Sequence, residues 1–243
     1  MLSKLSMFGS EKSGVNIMDD EFFRFPHTPH IAWLGDREPR GDKLLPPLEV
    51  ESFLSSELVV EEKVDGANVG FSIDQHGELR AQNRGAWIDK GVGGQFKHLW
   101  KWIKQYEYQL KLALDSDLIL FGEWCYAEHS IGYEKLPNWF IGFDLYSRSA
   151  GKFYSVKRRN KVLATIGIPI VSPLVQGRFS VKDLKLMLDQ PSYYGANKIE
   201  GIYLRKDKGN WLEKRAKLVR ADFTQTIDEH WSRKPLIPNK IQY

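Results

Sequence analysis

The chain predicts an α+β fold: antiparallel sheets flanked by helices, with a cleft between the sheets. Two observations carry this. Short runs rich in Val, Ile, Leu and Phe recur along the sequence, and the polar residues that could carry chemistry sit inside or at the ends of those runs. Fewer stretches show helical spacing, and those are amphipathic, as helices packed on the outside of a sheet are.

Residues 1–24 are polar and irregular and are expected to form a mobile arm, with residues 25–243 as the folded domain. Phe25-Pro26-His27-Thr28-Pro29-His30 cannot be a helix interior and reads as a fixed extended loop. Its two histidines are candidates to contact a phosphate, but they lack further ligands at metal spacing, so no zinc site is expected. Gly35–Pro47 is a second loop, rich in charge and proline. Leu58–Val64 and Asn68–Ile73 read as strands, and Asp65-Gly66 between them is a common hairpin signal. Gly91-Val92-Gly93-Gly94 lacks the lysine and hydroxyl residue of a phosphate-binding loop and reads as a connector.

From Gln95 to Leu114 the residues Phe96, Leu99, Trp100, Ile103, Tyr106 and Leu110 recur at three- and four-residue steps, which predicts one helix with one buried face. Asp117–Trp124 is a near-continuous apolar strand that ends on Glu123-Trp124, and Phe140–Tyr146 is another, with Asp144 inside it. Lys152, Lys157, Arg158, Arg159 and Lys161 cluster around a helix capped by Ser155. Ser180-Val181-Lys182-Asp183 reads as a capping box opening a helix through Leu188. Ile199–Arg205 is a strand opening with Glu200. In Trp211–Arg220, period two puts Arg215 and Lys217 on one face and Ala216 and Leu218 on the other.

At 243 residues the chain can bury a substantial core as one domain with an arm. Its hydrophobic and charged fractions, 42% and 27%, are those of an ordinary soluble protein, and no run is long enough to span a bilayer. The N-terminus makes a poor secretion signal. Cys125 is the single cysteine, which rules out an internal disulfide and fits a reducing cytoplasm (or a nucleoid or nucleus). The net charge of +4 is too small to identify a nucleic-acid protein by itself. Its distribution says more, because Lys198, Arg205, Lys206, Lys208, Lys214, Arg215, Lys217 and Arg220 outnumber Glu200, Asp207 and Glu213 over one short stretch. Such stripes can track a phosphate backbone, although a solvated helix face is the commoner explanation of the Lys152–Lys161 cluster.

The most pointed feature is Glu62-Lys63-Val64-Asp65-Gly66-Ala67-Asn68. A lysine fixed at the end of an apolar run, with carboxylates close by and a turn glycine, suits covalent transfer of a nucleotide onto nitrogen. The bland alternative is a solvated strand residue beside a hairpin. Asp144, Glu123 and Glu200 each sit in strand-like runs. Buried carboxylates are costly unless paired or metal-bound, and three of them point to a shared site.

The order of these elements resembles the covalent nucleotidyltransferase superfamily of ATP-dependent ligases and capping enzymes. Lys63–Asn68 looks like the nucleophile motif, and Asn83-Arg84-Gly85 like the short element that follows it. Phe121–Trp124 and Phe143–Tyr146 are similar to the third motif and its companion, Glu200–Arg205 to the fourth and Arg215-Ala216-Lys217 to the fifth. Asn68 stands where DNA ligases and capping enzymes usually carry arginine and where RNA ligases of the editing and repair type carry asparagine.

The resemblance therefore implies an ATP-grasp-like nucleotidyltransferase fold with a central ATP cleft, and an ATP-dependent RNA ligase as the function. It implies Lys63 as nucleophile, Asp65 and Lys217 as catalytic partners, and Mg²⁺ (or Mn²⁺) on Glu123 and Glu200. Glu62, Asn68, Arg84, Phe143 and Arg215 would join Lys63, Glu123, Glu200 and Lys217 in binding the nucleotide. Phe143 would stack on adenine, and Arg215, where lysine is more usual, would help Lys217 on the α-phosphate. RNA ends, nicked or broken, are the expected partner of a monomer, with an accessory end-recognition protein an option. The 26 residues after Lys217 leave no room for an appended OB-fold. A minimal DNA ligase and a catalytically inactive nucleic-acid-binding module are the alternatives, and a capping guanylyltransferase fits less well.

Overall fold

The computed structural model describes residues 22–36, 44–225 and 235–242, so most of the expected arm lies outside the described residues. Among the described residues, nine strands form two antiparallel sheets. The first has the order β7-β1-β8-β9, from β1 (Leu58–Lys63), β7 (Pro173–Gly177), β8 (Gly201–Lys208) and β9 (Trp211–Val219). The second has the order β3-β2-β4-β5-β6, from β2 (Ala67–Ile73), β3 (Leu79–Gln82), β4 (Leu118–Trp124), β5 (Phe140–Ser147) and β6 (Lys152–Phe153).

The hairpin reading of Asp65-Gly66 is corrected here. β1 and β2 do not pair; they belong to different sheets, so the turn crosses between them. Both edges of each strand are taken by other partners, β7 and β8 for β1, β3 and β4 for β2. The turn itself packs against the end of β4. A Cβ on Gly66 would stand 2.7 Å from the Trp124 carbonyl oxygen and 3.1 Å from Glu123 Cγ, which leaves room for glycine alone.

Alternation along the strands sorts side chains into an apolar outer face and a polar inner face. In the first sheet Leu58, Val60, Ile202, Leu204, Ala216 and Leu218 are buried together with Phe53, Leu184 and Leu188. Those last three come from α1 (Pro47–Leu54) and from α4 (Val181–Met187) with its C-cap. In the second sheet Val69, Phe71, Leu120 and Trp124 pack against Leu99, Trp102, Ile103, Leu110 and Leu114 of α2 (Leu99–Leu114). Each such aliphatic or aromatic side chain contributes about 1.5–3 kcal/mol of burial free energy. The opposite faces, carrying Glu61, Lys63, Tyr203, Arg205, Arg215 and Lys217 on one sheet and Asn68, Glu123 and Asp144 on the other, look into the cleft.

The helix expected from Gln95 begins later. Residues Gly94–Phe96 form a 3₁₀ turn, and α2 starts at Leu99. Ser155 caps α3 (Val156–Thr165), accepting from the Arg158 N–H, and Ser180 and Asp183 form the expected reciprocal capping box. The helices α1 and α5 (Ala221–Gln225) had no expectation attached to them. Phe25–Pro29 has no regular secondary structure, and His30 bridges Lys217. The Lys217 N–H donates to the Pro29 carbonyl and the Ile31 N–H to the Lys217 carbonyl, so this strap lies along the edge of β9.

Two readings of the basic clusters change. Arg159 is not part of a solvated helix face, because it is fully buried and ion-paired to Glu61. In the Lys198–Arg220 stripe, Lys198, Arg205, Lys206, Lys214, Arg215 and Arg220 all pair with acids, namely Asp189, Asp144, Glu213, Glu49, Asp144 and Asp222. A charge-rich strand pair is thus largely neutralised within the fold.

Candidate active site

Lys63 ends β1, and Glu200 immediately precedes β8. Lys63 pairs in register with Gly201, so the ammonium and the Glu200 carboxylate meet in a close ion pair. Gly201 is required there, since a Cβ would stand 2.5 Å from the Leu218 carbonyl oxygen of β9. Glu123 lies opposite Asn68 in the facing sheet and completes the group. The cleft thus closes around one lysine with carboxylates from both sheets.

Burial lowers the affinity of the Lys63 amine for its proton. Glu200, Tyr203, Asp65 and Glu123 outweigh that and hold its pKa well above the ordinary lysine value. Burial pushes Glu123 up to about 8, although Lys63 and Arg84 pull the other way. It pushes Glu200 to about 7, again against the pull of Lys63. These acids are poised to exchange protons for a cation. Glu123 has no ion pair among the described residues, and its hard oxygens suit a divalent metal. No three His, Cys, Asp or Glu side chains there form a ready cage, so Glu123 and Glu200 would hold a metal together with water and phosphate oxygens.

Asp65 has a different setting. Its Oδ2 accepts the backbone N–H groups of Ser130 (2.6 Å) and Ile131 (3.1 Å), and its own N–H donates to Tyr133 Oη at 2.8 Å. It anchors the turn after Lys63 to the loop between β4 and β5. Glu62 is buried, with Ser192 Oγ donating at 2.5 Å and the Tyr193 N–H at 2.9 Å. Alternation along β1 turns it away from Lys63.

Phe143 and Asp144 are consecutive, yet both line the same small cavity with Phe25, Thr28, Glu61, Tyr203, Arg205 and Arg215. The register slips between Phe121 and Gly122, and this bulge lets two neighbours serve one face. Arg215 is ion-paired to Asp144 at 2.5 Å and lies 4.4 Å from the ring centres of Phe25 and Phe153. Lys217 pairs in register with Tyr203, near enough to Glu200 to lower its pKa. Arg84 is exposed on a turn whose N–H groups at Gly85 and Ala86 donate to Asn83 Oδ1. Asn68 is buried, and its Oδ1 has no hydrogen-bond partner among the described residues.

Of the expected site residues the fold brings Lys63, Asp65, Glu123, Glu200 and Lys217 together, whereas Glu62 turns away, and several supporting residues had no expectation. Tyr203 was within reach, two positions from Arg205 on the same strand face. Thr28 and Phe25 were read only as a loop. The residues Ser130, Ile131, Tyr133 and Arg159 carry no sequence pattern that points to the site.

Two antiparallel sheets thus meet around a lysine flanked by Glu200, Glu123 and Asp65. The profile of the RNA ligase family matches residues 56–219, more than half of the chain, and the protein belongs to that family. Solved structures of similar fold include a lysine-to-alanine variant of Naegleria gruberi RNA ligase with ATP and Mn, at TM-score 0.62 and 14% identity, covering 84% of this chain and 64% of that one. The same enzyme with PPi aligns at TM-score 0.60 and 17% identity, covering 74% and 54%. A glutamate-to-alanine variant with ATP and Mn gives 0.61 and 17%, covering 85% and 62%. The chain thus spans less than two thirds of the length of these structural relatives. No curated protein sequence matches it.

Proposed function

We propose that this protein is an ATP-dependent RNA ligase that joins 5′-phosphate and 3′-hydroxyl ends through a lysyl-AMP intermediate. The observation that carries this reading is Lys63 held by Glu200, with Glu123 and Asp65 beside it at the meeting of the two sheets. The family match and the fold shared with an RNA ligase bound to ATP and Mn support it.

In the first step Lys63 Nζ attacks the α-phosphorus of ATP; an N–P bond forms, the bond to the bridging oxygen breaks, and pyrophosphate leaves. The lysine must first give up a proton to solvent, which becomes favourable once the surrounding carboxylates are neutralised. Glu123 and Glu200 would hold Mg²⁺ or Mn²⁺, which would supply that neutralisation and offset phosphate charge. Phe143 and Tyr203 would flank the purine, whose entry requires the small closed cavity between them, walled by Thr28 and Glu61, to widen. Lys217 faces the α-phosphate side, and Arg84 the ribose or terminal phosphates. In the second step the 5′-phosphate of RNA takes AMP from the lysine. In the third a 3′-hydroxyl attacks that activated end and AMP leaves. All three are in-line displacements in which orientation and charge matter most.

Incubation with labelled ATP and Mg²⁺, followed by denaturing gel electrophoresis, tests this. The expected result is a labelled protein whose bond is acid-labile and base-stable, as a phosphoramidate is, and which is absent in Lys63→Ala. Labelling that persists in Lys63→Ala overturns the assignment.

A further inference from the structure

The loop Cys125–Trp139 joins β4 to β5, and within it Ser130, Ile131 and Tyr133 hold Asp65. Three donor–acceptor contacts to one aspartate fix the turn that follows Lys63. A loop of this length has no strand partner of its own in the two sheets. Two segments order it: Tyr194 and Asn197 bond within its residues 132–135, and the distant residues 237–242 bond residues from Cys125 to Leu136.

The latter segment runs along the loop and closes backbone hydrogen bonds with it. The Glu128 N–H donates to the Ile237 carbonyl at 2.8 Å, the Lys240 N–H to the Tyr133 carbonyl at 2.9 Å and the Leu136 N–H to the Lys240 carbonyl at 3.0 Å. At its centre is Asn239, buried and hydrogen-bonded through both ends of its amide. Its Oδ1 accepts the Tyr133 N–H at 2.7 Å, and its Nδ2 donates to the Cys125 carbonyl at 2.9 Å. Its own N–H donates to the Tyr126 carbonyl at 2.9 Å. One side-chain amide therefore ties the start of the loop to the residue whose hydroxyl meets Asp65. An amide alone among short side chains offers a donor and an acceptor in that geometry.

We infer that Asn239 is a positioning residue for the nucleophile: it fixes Tyr133 and the Ser130–Ile131 backbone, these fix Asp65, and Asp65 fixes the turn that aims Lys63. The inference rests on the lysyl-AMP reading above. It does not make Asn239 a catalytic residue, since the residue touches neither nucleotide nor lysine. A misaimed nucleophile loses rate while the nucleotide slot, built by Phe143 and Tyr203 on other strands, keeps its affinity.

The test is single-turnover formation of the labelled adduct, with ATP affinity measured separately and folding checked by thermal melting. Asn239→Ala is expected to slow adduct formation about 10- to 100-fold while ATP affinity changes about threefold or less, as displacements remote from chemistry do. Tyr133→Phe, which removes the hydroxyl that meets Asp65, is expected to slow it as well. The double variant should be no slower than the worse single one, because both changes cut the same chain of contacts. If Asn239→Ala does not fold, Asn239→Asp carries the same test, keeping the acceptor for Tyr133 and removing the donor to Cys125. An adduct rate within about twofold of wild type, equal losses of rate and affinity, or additive effects in the double variant each overturn the inference. A wild-type protein that forms no adduct overturns the lysyl-AMP reading instead.

Discussion

Lys63 is stored as an ammonium, and the groups that hold it there also set the pH range in which it can work. Glu123, pushed up to about 8 by burial, and Glu200, pushed up to about 7, are largely protonated at pH 6 and must ionise to take a metal. Adduct formation should therefore rise from pH 6 to pH 8–9 at fixed metal concentration, and extra metal should shift the rise to lower pH. A rate flat across that window would mean that neither carboxylate gates the step. The same shift has a cost in stability. The unfolded carboxylate of Glu123 ionises near the ordinary glutamate value of 4.5 and the folded one near 8, so the folded state is penalised increasingly as pH rises through that interval. Glu123→Gln should melt higher than wild type at pH 8, with little difference at pH 4.5, and should be inactive. Glu123→Ala and Glu200→Ala should each lose most sealing activity, since removing one carboxylate weakens charge neutralisation by several kcal/mol. Near wild-type sealing by both would place the metal elsewhere. At this scale the sequence was most readable. Lysines and carboxylates at strand ends stand out against apolar neighbours, whereas the backbone donors that hold Asp65 have no side-chain identity to read.

Strands were legible for the same reason, and their partners were not. Apolar runs marked β1, β2, β4, β5 and β8, and alternation of cations marked β9, but Asp65-Gly66 signalled a hairpin where the chain changes sheets. A turn's local chemistry cannot report that both flanking strands will find better partners elsewhere. The helix α1 was missed because only Phe53 of its residues is buried, which leaves no periodic face. Arg159 shows the opposite failure: a basic run on α3 looks solvated, yet this one member turns inward. Its Nη2 donates to Glu61 at 2.5 Å, and its guanidinium also reaches the Phe143 carbonyl. Arg205 joins the same group, 3.8 Å from Glu61 and 2.7 Å from Asp144. These buried pairs link α3, β1, β5 and β8 and so hold the two sheets in register across the cleft. Arg159→Met should destabilise the protein by about 3–5 kcal/mol in urea unfolding, because Glu61 would stay buried with a poorer partner. A loss under about 1 kcal/mol would mean that water or Arg205 compensates Glu61.

Over the whole molecule, charge alone does not explain how RNA would be chosen. On β8 and β9, Arg205, Lys206, Lys214 and Arg215 are paired internally, and for three of them the acid, Asp144 or Glu49, comes from a distant element, which the sequence could not show. On the proposed ligase reading, selection would come from contacts at the break itself, and Asn68 would supply one: its Oδ1 is a buried acceptor with no partner among the described residues, across from Glu123. A buried acceptor left unpaired costs about 1–3 kcal/mol, and a ribose hydroxyl is the kind of donor that relieves it. Replacing the terminal ribonucleotides on the 3′-OH side of a nick with deoxynucleotides should slow sealing, while formation of the protein adduct stays unchanged. Asn68→Ala should be slower on RNA and should lose much of the difference between the two substrates, because the acceptor that distinguishes them is gone. With few phosphate contacts, sealing should fall with salt along a shallow slope, near 0.7–0.9 logarithmic units per contact. If the deoxynucleotide substrate is sealed as fast as the ribonucleotide one, the 2′-hydroxyl is not read at this site, and the DNA-ligase reading leads.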